Sequence, residues 1–140
     1  MIPFRTQYEK LVKAYINNEV QPWEECACFV GNLLNKNETW GHARLNCQEW
    51  GILSNIQSQV DIASMHIFKE SDGTYTVQEI LDLEKTFMKA IGNWFSWDAT
   101  DEETLFNAFE KTLLHLRQIH ESKGEVIEDY TFKKRKLVAV

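Results

Sequence analysis

The sequence predicts a mainly α-helical domain of four to five helices, with room for one small β-hairpin. Apolar residues recur at intervals of three and four over several long stretches, and helix-capping patterns precede two of them. Only a few short runs favour strands. Because the chain has 140 residues and shows no linker or internal repeat, we expect residues 1–140 to form a single helical domain.

Two helices are predicted in the first quarter of the chain. The first runs from Pro3 to about Asn17, and its apolar residues lie on one stripe: Phe4, Tyr8, Leu11, Val12, Tyr15 and Ile16. The second is predicted over residues 22–35, because Pro22 suits the first helical position and apolar residues follow with helical spacing. This helix would carry Cys26 on its apolar face.

Residues 38–73 show the least regular pattern. Their apolar residues fit a helix that is interrupted at Gly51. Residues 64–68 could instead form a short strand ending in the turn Ser71-Asp72-Gly73. The sequence leaves both interpretations open.

Two capping patterns indicate where the later helices begin. Thr76 with Glu79, three residues on, predicts a capping box and a helix that ends near Gly92. Thr100 with Glu103 repeats the pattern and predicts another helix. These are the strongest local helix signals in the chain.

The short connection over residues 93–99 predicts that these two helices lie antiparallel. The second is expected to end near His120. Since His115 and His120 are five positions apart, they do not share a helix face well, and both are interpreted as surface or boundary residues. From about residue 124 to residue 140 we expect a C-terminal tail or short strands.

The charge distribution argues against a nucleic-acid partner. The formal net charge is −6, from 15 Lys and Arg against 21 Asp and Glu, and four of the positive charges form the run at residues 133–136. The remainder of the chain is therefore strongly acidic, whereas nucleic-acid binders depend on positive charge to contact phosphates. The basic run could still contact an acidic surface locally, although such runs are more often solvated ends.

Composition also bears on location. No apolar run approaches the roughly 18 residues of a membrane span, so no membrane partner is expected. The start MIPFRTQYEK lacks the apolar core of an export signal. The odd number of cysteines, three, favours reduced thiols. These features predict a cytoplasmic protein.

The cysteine-rich segment Glu25-Cys26-Ala27-Cys28-Phe29-Val30 resembles the nucleophile region of the NlpC/P60 cysteine peptidases. Residues 65–68, followed by Asp72-Gly73, resemble that family's histidine strand. The resemblance implies a thiol-dependent hydrolase in which Cys26 is the nucleophile and His66 its base. The sequence departs from the family after His66, where helices are predicted in place of several strands.

The surroundings predicted for Cys26 favour a packing role. A helix start lowers the pKa of a thiol, but Glu24 and Glu25 bring negative charge close and oppose that effect. Helical spacing from Trp23 and Val30 places Cys26 on the apolar face, where unreactive buried thiols are common. The hydrolase is therefore kept as an alternative to a non-enzymatic function.

A small zinc site is the other alternative, since Cys26, Cys28, His42 and Cys47 supply suitable ligands. Residues i and i+2 of a helix point to different sides, so Cys26 and Cys28 could not easily bind one ion from the predicted helix. We therefore expect no metal and no cofactor. A turn at residues 24–28 would favour zinc instead.

Tryptophan is frequent in this chain, with residues at positions 23, 40, 50, 94 and 97. Core packing is the commoner role of tryptophan, but Trp94 and Trp97 lie in a helix connection, and Trp40 also lies outside a clear apolar stripe. Because no catalytic constellation is complete, the leading hypothesis is a non-enzymatic interaction protein. It would use Trp40, Trp94 and Trp97 as an aromatic surface patch for a protein partner or a homodimer.

A broader resemblance covers two segments. Residues 26–34 read Cys-Ala-Cys-Phe-Val-Gly-Asn-Leu-Leu, and residues 75–84 fit Tyr-Thr-x-x-Glu-Ile-x-x-x-Glu. This combination is similar to small proteins of Bacteroidota and their phages that have no assigned activity. The resemblance implies a bacterial or phage origin and no particular chemistry.

Overall fold

The computed structural model describes residues 1–21, 28–36, 57–92 and 102–127, and for residues 57–63 the backbone alone. Five α-helices lie in these ranges, and the described residues contain no strand. The helices are α1 Phe4–Ile16, α2 Phe29–Leu33, α3 Gln57–Ser71, α4 Val77–Ile91 and α5 Glu102–Ser122. The prediction of a mainly helical bundle is confirmed, and no hairpin is found in the described part.

Helix α1 has the predicted bounds and faces the core with one stripe. Phe4, Leu11 and Ala14 are buried on that stripe, together with the polar Gln7. The helix begins after Pro3, which has an extended backbone and whose side chain makes no capping hydrogen bond. It ends at Asn17, and the N–H of Glu19 then donates to the carbonyl of Ala14 over 2.8 Å.

Helix α2 begins later than the sequence predicts. Cys28 has an extended backbone and precedes α2 as its N-cap, with its Sγ accepting a hydrogen bond from the N–H of Gly31 at 3.4 Å. The predicted continuous helix over residues 22–35 is therefore wrong at Cys28, and residues 22–27 lie outside the described residues. Residues 28–34 are all buried, both the cap and the helix that follows it. The apolar pattern of the sequence therefore continues through the cap and does not show where the helix begins.

Helix α3 includes residues 64–68, so the alternative of a strand there is wrong. Ile67 and Ser71, four apart, face inward, while Met65, Phe68 and Lys69 are exposed. A short apolar run fits either structure, and the packing of one helical face against the bundle decides between them. The predicted turn follows, with Asp72 and Gly73 both in the left-handed conformation.

Helix α4 starts with the predicted capping box. The N–H of Glu79 donates to the Thr76 hydroxyl oxygen over 3.1 Å, and the N–H of Thr76 donates to the Glu79 carboxylate over 2.9 Å. Gly92 ends the helix in the left-handed conformation that a residue without Cβ adopts at little cost. The second predicted capping box depends on Thr100, which lies outside the described residues.

Helices α4 and α5 are antiparallel, as predicted. Glu79 near the start of α4 contacts Lys123 just beyond α5, and Thr86 further along α4 contacts His115 of α5. One residue number rises while the other falls, which only antiparallel axes allow. The pair supplies about half of the buried apolar residues, and the rest come from α1, α2, α3 and the segments beside them.

Three aromatic side chains mark the centre of this core. The Phe29 ring of α2 lies 6.0 Å from the Phe87 ring and 5.5 Å from the Phe109 ring, so one short helix contacts both members of the long pair. All three side chains are fully buried. This packing fixes the position of α2 relative to α4 and α5.

Beyond α5 the chain turns at Gly124 and has no regular structure over residues 125–127. The rest of the predicted C-terminal tail, residues 128–140, lies outside the described residues. Of the helices that are described, none is both long enough and apolar enough to cross a lipid bilayer.

Candidate functional site

Tyr75, His120 and Glu125 form a row of polar side chains at one end of the bundle. The Tyr75 hydroxyl lies 2.7 Å from Nε2 of His120, and Nδ1 of the same ring lies 3.0 Å from Oε1 of Glu125. Tyr75 is 5% exposed and His120 is 1% exposed. The interpretation of His120 as a surface or boundary residue is therefore wrong.

The antiparallel pairing of α4 and α5 creates this row. It brings the residues just before α4, including Tyr75, to the last turn of α5, which carries His120. Gly124 then turns the chain, and the N–H of Glu125 donates to the carbonyl of His120 over 3.2 Å. The Glu125 carboxylate consequently returns to the imidazole ring from beyond the helix.

Glu125 also binds the beginning of α1. The backbone N–H of Phe4 donates to the two Glu125 carboxylate oxygens, at 3.0 and 3.2 Å. This is a favourable position for a carboxylate, because the first N–H groups of a helix have no partner within the helix and carry partial positive charge. The site thus connects the start of α1 to the end of α5.

A second pair of charges flanks the row. Nζ of Lys123 donates to Oε1 of Glu79 over 2.7 Å and to the carbonyl oxygen of Thr74, and it lies 5.6 Å from the centre of the Tyr75 ring. Partial burial alone would raise the pKa of Glu79. The hydrogen bonds from Lys123 and Thr76 outweigh that effect and hold this pKa below its usual value.

Burial dominates the protonation of the two inner groups. It raises the pKa of the Tyr75 hydroxyl far above its usual value, so the phenol is a neutral hydrogen-bond donor. Burial also lowers the pKa of His120, although the Glu125 carboxylate opposes this shift. At neutral pH the ring is therefore uncharged, with its proton on Nδ1 facing Glu125 and Nε2 accepting from Tyr75.

The arrangement has the carboxylate–imidazole–hydroxyl order of a nucleophile relay, but its chemistry is different. A relay activates its hydroxyl by removing a proton as the hydroxyl attacks an accessible substrate. Here burial raises the pKa of the Tyr75 hydroxyl, so that it keeps its proton, and both Tyr75 and His120 are buried away from any substrate in solvent. The geometry instead suits a structural network that satisfies buried polar groups.

Gln7 of α1 is the remaining polar residue in this region. Its side chain is fully buried and makes no hydrogen bond of normal geometry within the described part of the chain, but its interaction with the Tyr75 hydroxyl opposes the rise that burial causes in the pKa of Tyr75. Gln7 is thus a buried polar residue that lies against the row without a full set of hydrogen bonds, which costs stability.

Most residues that the sequence singled out for chemistry lie outside the described residues. These are Cys26, His42 and Cys47 of the thiol and zinc hypotheses, and Trp40, Trp94 and Trp97 of the aromatic patch. Within the described residues no cluster of three or more His, Cys, Asp or Glu side chains has an arrangement that could hold a metal ion.

Two residues of the thiol and zinc hypotheses are described. Cys28 is buried as the cap of α2. His66 is half-buried on α3, in a helix where the peptidase resemblance requires a strand, and its Nδ1 is a buried atom with no hydrogen-bond partner among the described residues.

An exposed apolar surface lies on α3. Met65 is 59% exposed and Phe68 is 68% exposed, and their spacing of three places them on one side of the helix. The exposed Lys69 follows on the same helix, and the exposed Asp72 lies in the turn just after its end. We call the surface of Met65, Phe68, Lys69 and Asp72 the α3 face.

Local contacts hold the α3 face in place. The Phe68 ring lies against the backbone of Gly73, where an added Cβ would be 3.1 Å from the ring. Asp72 lies 3.8 Å from the N-terminal ammonium of Met1. The exposed Leu114 of α5 is different, because its exposed neighbours one turn away, Glu110 and Lys111, are charged.

A residue pattern could have indicated His120 in advance. It lies four residues after Leu116 and seven after Leu113, so helical spacing places it on the apolar stripe of α5. Nothing local points to Tyr75 or Glu125 as its partners. The comparisons with known proteins add no guide: no family model, curated protein or solved structure matches the chain.

Proposed function

We propose that this chain is a non-enzymatic interaction protein that binds a second copy of itself through the α3 face. The observation that carries the proposal is the exposure of Met65 and Phe68 side by side on one helix. Large apolar side chains grouped on a surface favour association, because contact with a partner removes them from water.

The charges of the α3 face favour a second copy as the partner. In a two-fold symmetric pair, the same surface serves both subunits, so a residue i contacts j and j contacts i. If the ends of the two α3 helices meet antiparallel, Lys69 of one copy can face Asp72 in the turn after α3 of the other, and this contact occurs twice. The apolar pair Met65 and Phe68 then lies beside two complementary ion pairs.

The size of the α3 face supports weak rather than permanent association. A standard stable interface buries about 800 Å² on each partner. Two partly exposed side chains supply only a fraction of this area. A tight dimer would need a larger surface, to which the predicted aromatic patch of Trp40, Trp94 and Trp97 would have to contribute.

Sedimentation equilibrium over a range of protein concentrations tests the proposal. We expect the wild-type chain to associate reversibly and Phe68→Ala to weaken association by roughly tenfold, since one large apolar contact is lost twice across the two-fold axis. Leu114→Ala is the matched control, because it removes an exposed apolar side chain from outside the α3 face and should leave association unchanged.

A charge exchange tests the antiparallel arrangement. Lys69→Glu and Asp72→Lys should each weaken association, because like charges then face each other across the axis. The double variant K69E/D72K should restore it. A wild-type chain that remains monomeric at every concentration, or a Phe68→Ala variant that associates as strongly as Leu114→Ala, contradicts the proposal.

A thiol-dependent hydrolase is the second candidate. It is favoured by Nδ1 of His66, which has no hydrogen-bond partner among the residues that the structure describes, since a base must have a ring nitrogen to offer. This candidate requires fast, pH-dependent alkylation of native Cys26 by iodoacetamide, and reaction only after denaturation would eliminate it. The cytoplasmic location and the bacterial or phage origin stay predictions of the sequence.

A further inference from the structure

Residues 123–127, which we call the strap, run from the end of α5 back across the start of the chain. Gly124 turns the backbone with φ 93°, and the N–H of Glu125 donates to the carbonyl of His120. The side chain of Ile127 packs, partly buried, against the core. The strap is therefore attached at both ends.

The strap supplies the cap that α1 lacks. Pro3 offers no side-chain cap, and the N–H of Phe4 donates instead to the carboxylate of Glu125. The two residues are 121 positions apart. The first turn of α1 is thus stabilised by a carboxylate from the opposite end of the chain.

When His120 is neutral, both of its ring nitrogens have a hydrogen-bond partner. The Glu125 carboxylate can only accept, so it fixes the imidazole proton on Nδ1. Nε2 then carries a lone pair and accepts a hydrogen bond from the Tyr75 hydroxyl. The ring needs no further partner in this state.

A second proton on His120 disturbs this arrangement. It must bind to Nε2, the atom that faces the Tyr75 hydroxyl, so two donors would meet across the 2.7 Å contact. The hydroxyl would have to turn its proton away. Burial at the same time deprives the positively charged ring of water.

The charged groups around His120 are mixed in sign. Glu125 from the strap and Glu79 from α4 favour the charged ring, whereas the ammonium of Lys123 opposes it. From α1 the ring meets the edge of Phe4, with 5.6 Å between ring centres, and the positive end of the helix dipole. Tyr75, from the turn before α4, is uncharged. The balance of these effects with burial favours the neutral ring.

We propose that the strap is an acid-sensitive clasp, held on the start of α1 while His120 is neutral and released when His120 takes up a proton. Release hydrates the charged ring and frees the N–H of Phe4 from Glu125. The buried network that closes one end of the bundle thus becomes a point of local opening, independent of the α3 face.

Amide hydrogen exchange measured by NMR tests the clasp directly. The protection of each amide is its intrinsic exchange rate at a given pH divided by the observed rate. We expect the protection of the Phe4 amide to fall severalfold, and by no more than about tenfold, between about pH 7.5 and about pH 5.5, because one histidine takes up one proton on opening. The internal control is the Glu19 amide at the other end of α1, which is bonded to the Ala14 carbonyl and should keep its protection.

The variant His120→Gln removes the titrating group but keeps a neutral polar side chain. Its Phe4 amide should have the same protection at both pH values. The proposal is overturned if wild-type Phe4 keeps its protection while the NMR signals of His120 show it protonating, if Phe4 has none at either pH, or if Phe4 and Glu19 lose protection together. The two wild-type amides decide the matter even if the variant does not fold.

Discussion

The Tyr75 hydroxyl and Nε2 of His120 lie 2.7 Å apart, although 45 positions separate the two residues in the chain. Both are buried and complementary, because the neutral phenol donates a hydrogen bond and the neutral imidazole has a lone pair that accepts this bond. Buried polar pairs of this kind cost little when complete and much when one partner is removed. The stability of the fold should therefore be sensitive to either residue.

Removing the Tyr75 hydroxyl should destabilise the protein. In Tyr75→Phe, Nε2 of His120 stays buried without a donor, so we expect the free energy of unfolding to fall by about 1–3 kcal/mol in urea titrations at neutral pH. His120→Phe should cost a similar amount for the same reason. The double variant should cost less than the sum of the two, since both partners are then apolar. Additive costs would show that the pair does not interact.

Stability should decline in mild acid through His120. Its pKa is lowered in the folded chain, so the unfolded chain takes up a proton first as pH falls. The stabilisation is fully present above the unfolded pKa of about 6.5 and is lost as pH falls through that value toward the folded pKa, by at most about 1.4 kcal/mol per pH unit. Urea unfolding at several pH values measures this slope, and subtracting the His120→Gln slope isolates it. If the free energy of unfolding changes with pH equally in the wild type and in His120→Gln, His120 is not the cause of the decline.

The capping box should stabilise α4 measurably. Thr76→Ala removes the hydroxyl that accepts from the N–H of Glu79, and we expect a loss of about 1 kcal/mol in the free energy of unfolding. Thr6→Ala is the matched control, because Thr6 is an exposed residue inside α1 and alanine has the higher helix propensity. Thr6→Ala should be neutral or slightly stabilising; an equal loss in both variants would mean that the cap is not the cause.

Two phenylalanines should differ widely in their effect on stability. Phe29 is fully buried between the rings of Phe87 and Phe109, so Phe29→Ala should cost about 3–5 kcal/mol through lost burial and the cavity left behind. Phe68→Ala changes an exposed ring and should stay within about 0.5 kcal/mol. Chemical denaturation of both variants compares them, and a large cost for Phe68 would mean that the α3 face stabilises the monomer.

Local patterns were sufficient for two of the helices, α1 and α4. These local patterns are the apolar stripe of α1, the Thr76–Glu79 capping box and the left-handed Gly92. Each depends on interactions between residues within one or two helical turns of each other, so neighbouring residues in the sequence are enough to predict it. The antiparallel pairing of α4 and α5 followed from a short connection. The helical class of the protein was predictable for the same reason.

The start of α2 and the structure of residues 64–68 were not predictable in this way. Both segments contain apolar residues at spacings that several backbone conformations allow, and burial decides among them only once the neighbouring helices are in place. Cys28 could cap α2 or continue it, and the packing of its neighbours in the core selected the cap.

By itself, the amino-acid sequence determined which stretches would coil into helices and where α4 would begin and end, because those interactions are local. Only the tertiary structure decided that His120 is enclosed and that its partners are Tyr75 and Glu125. The hydrogen bond from Phe4 to Glu125 joins opposite ends of the chain, and no local pattern encodes a contact that exists only after the helices have packed. The same packing left Met65 and Phe68 exposed on α3.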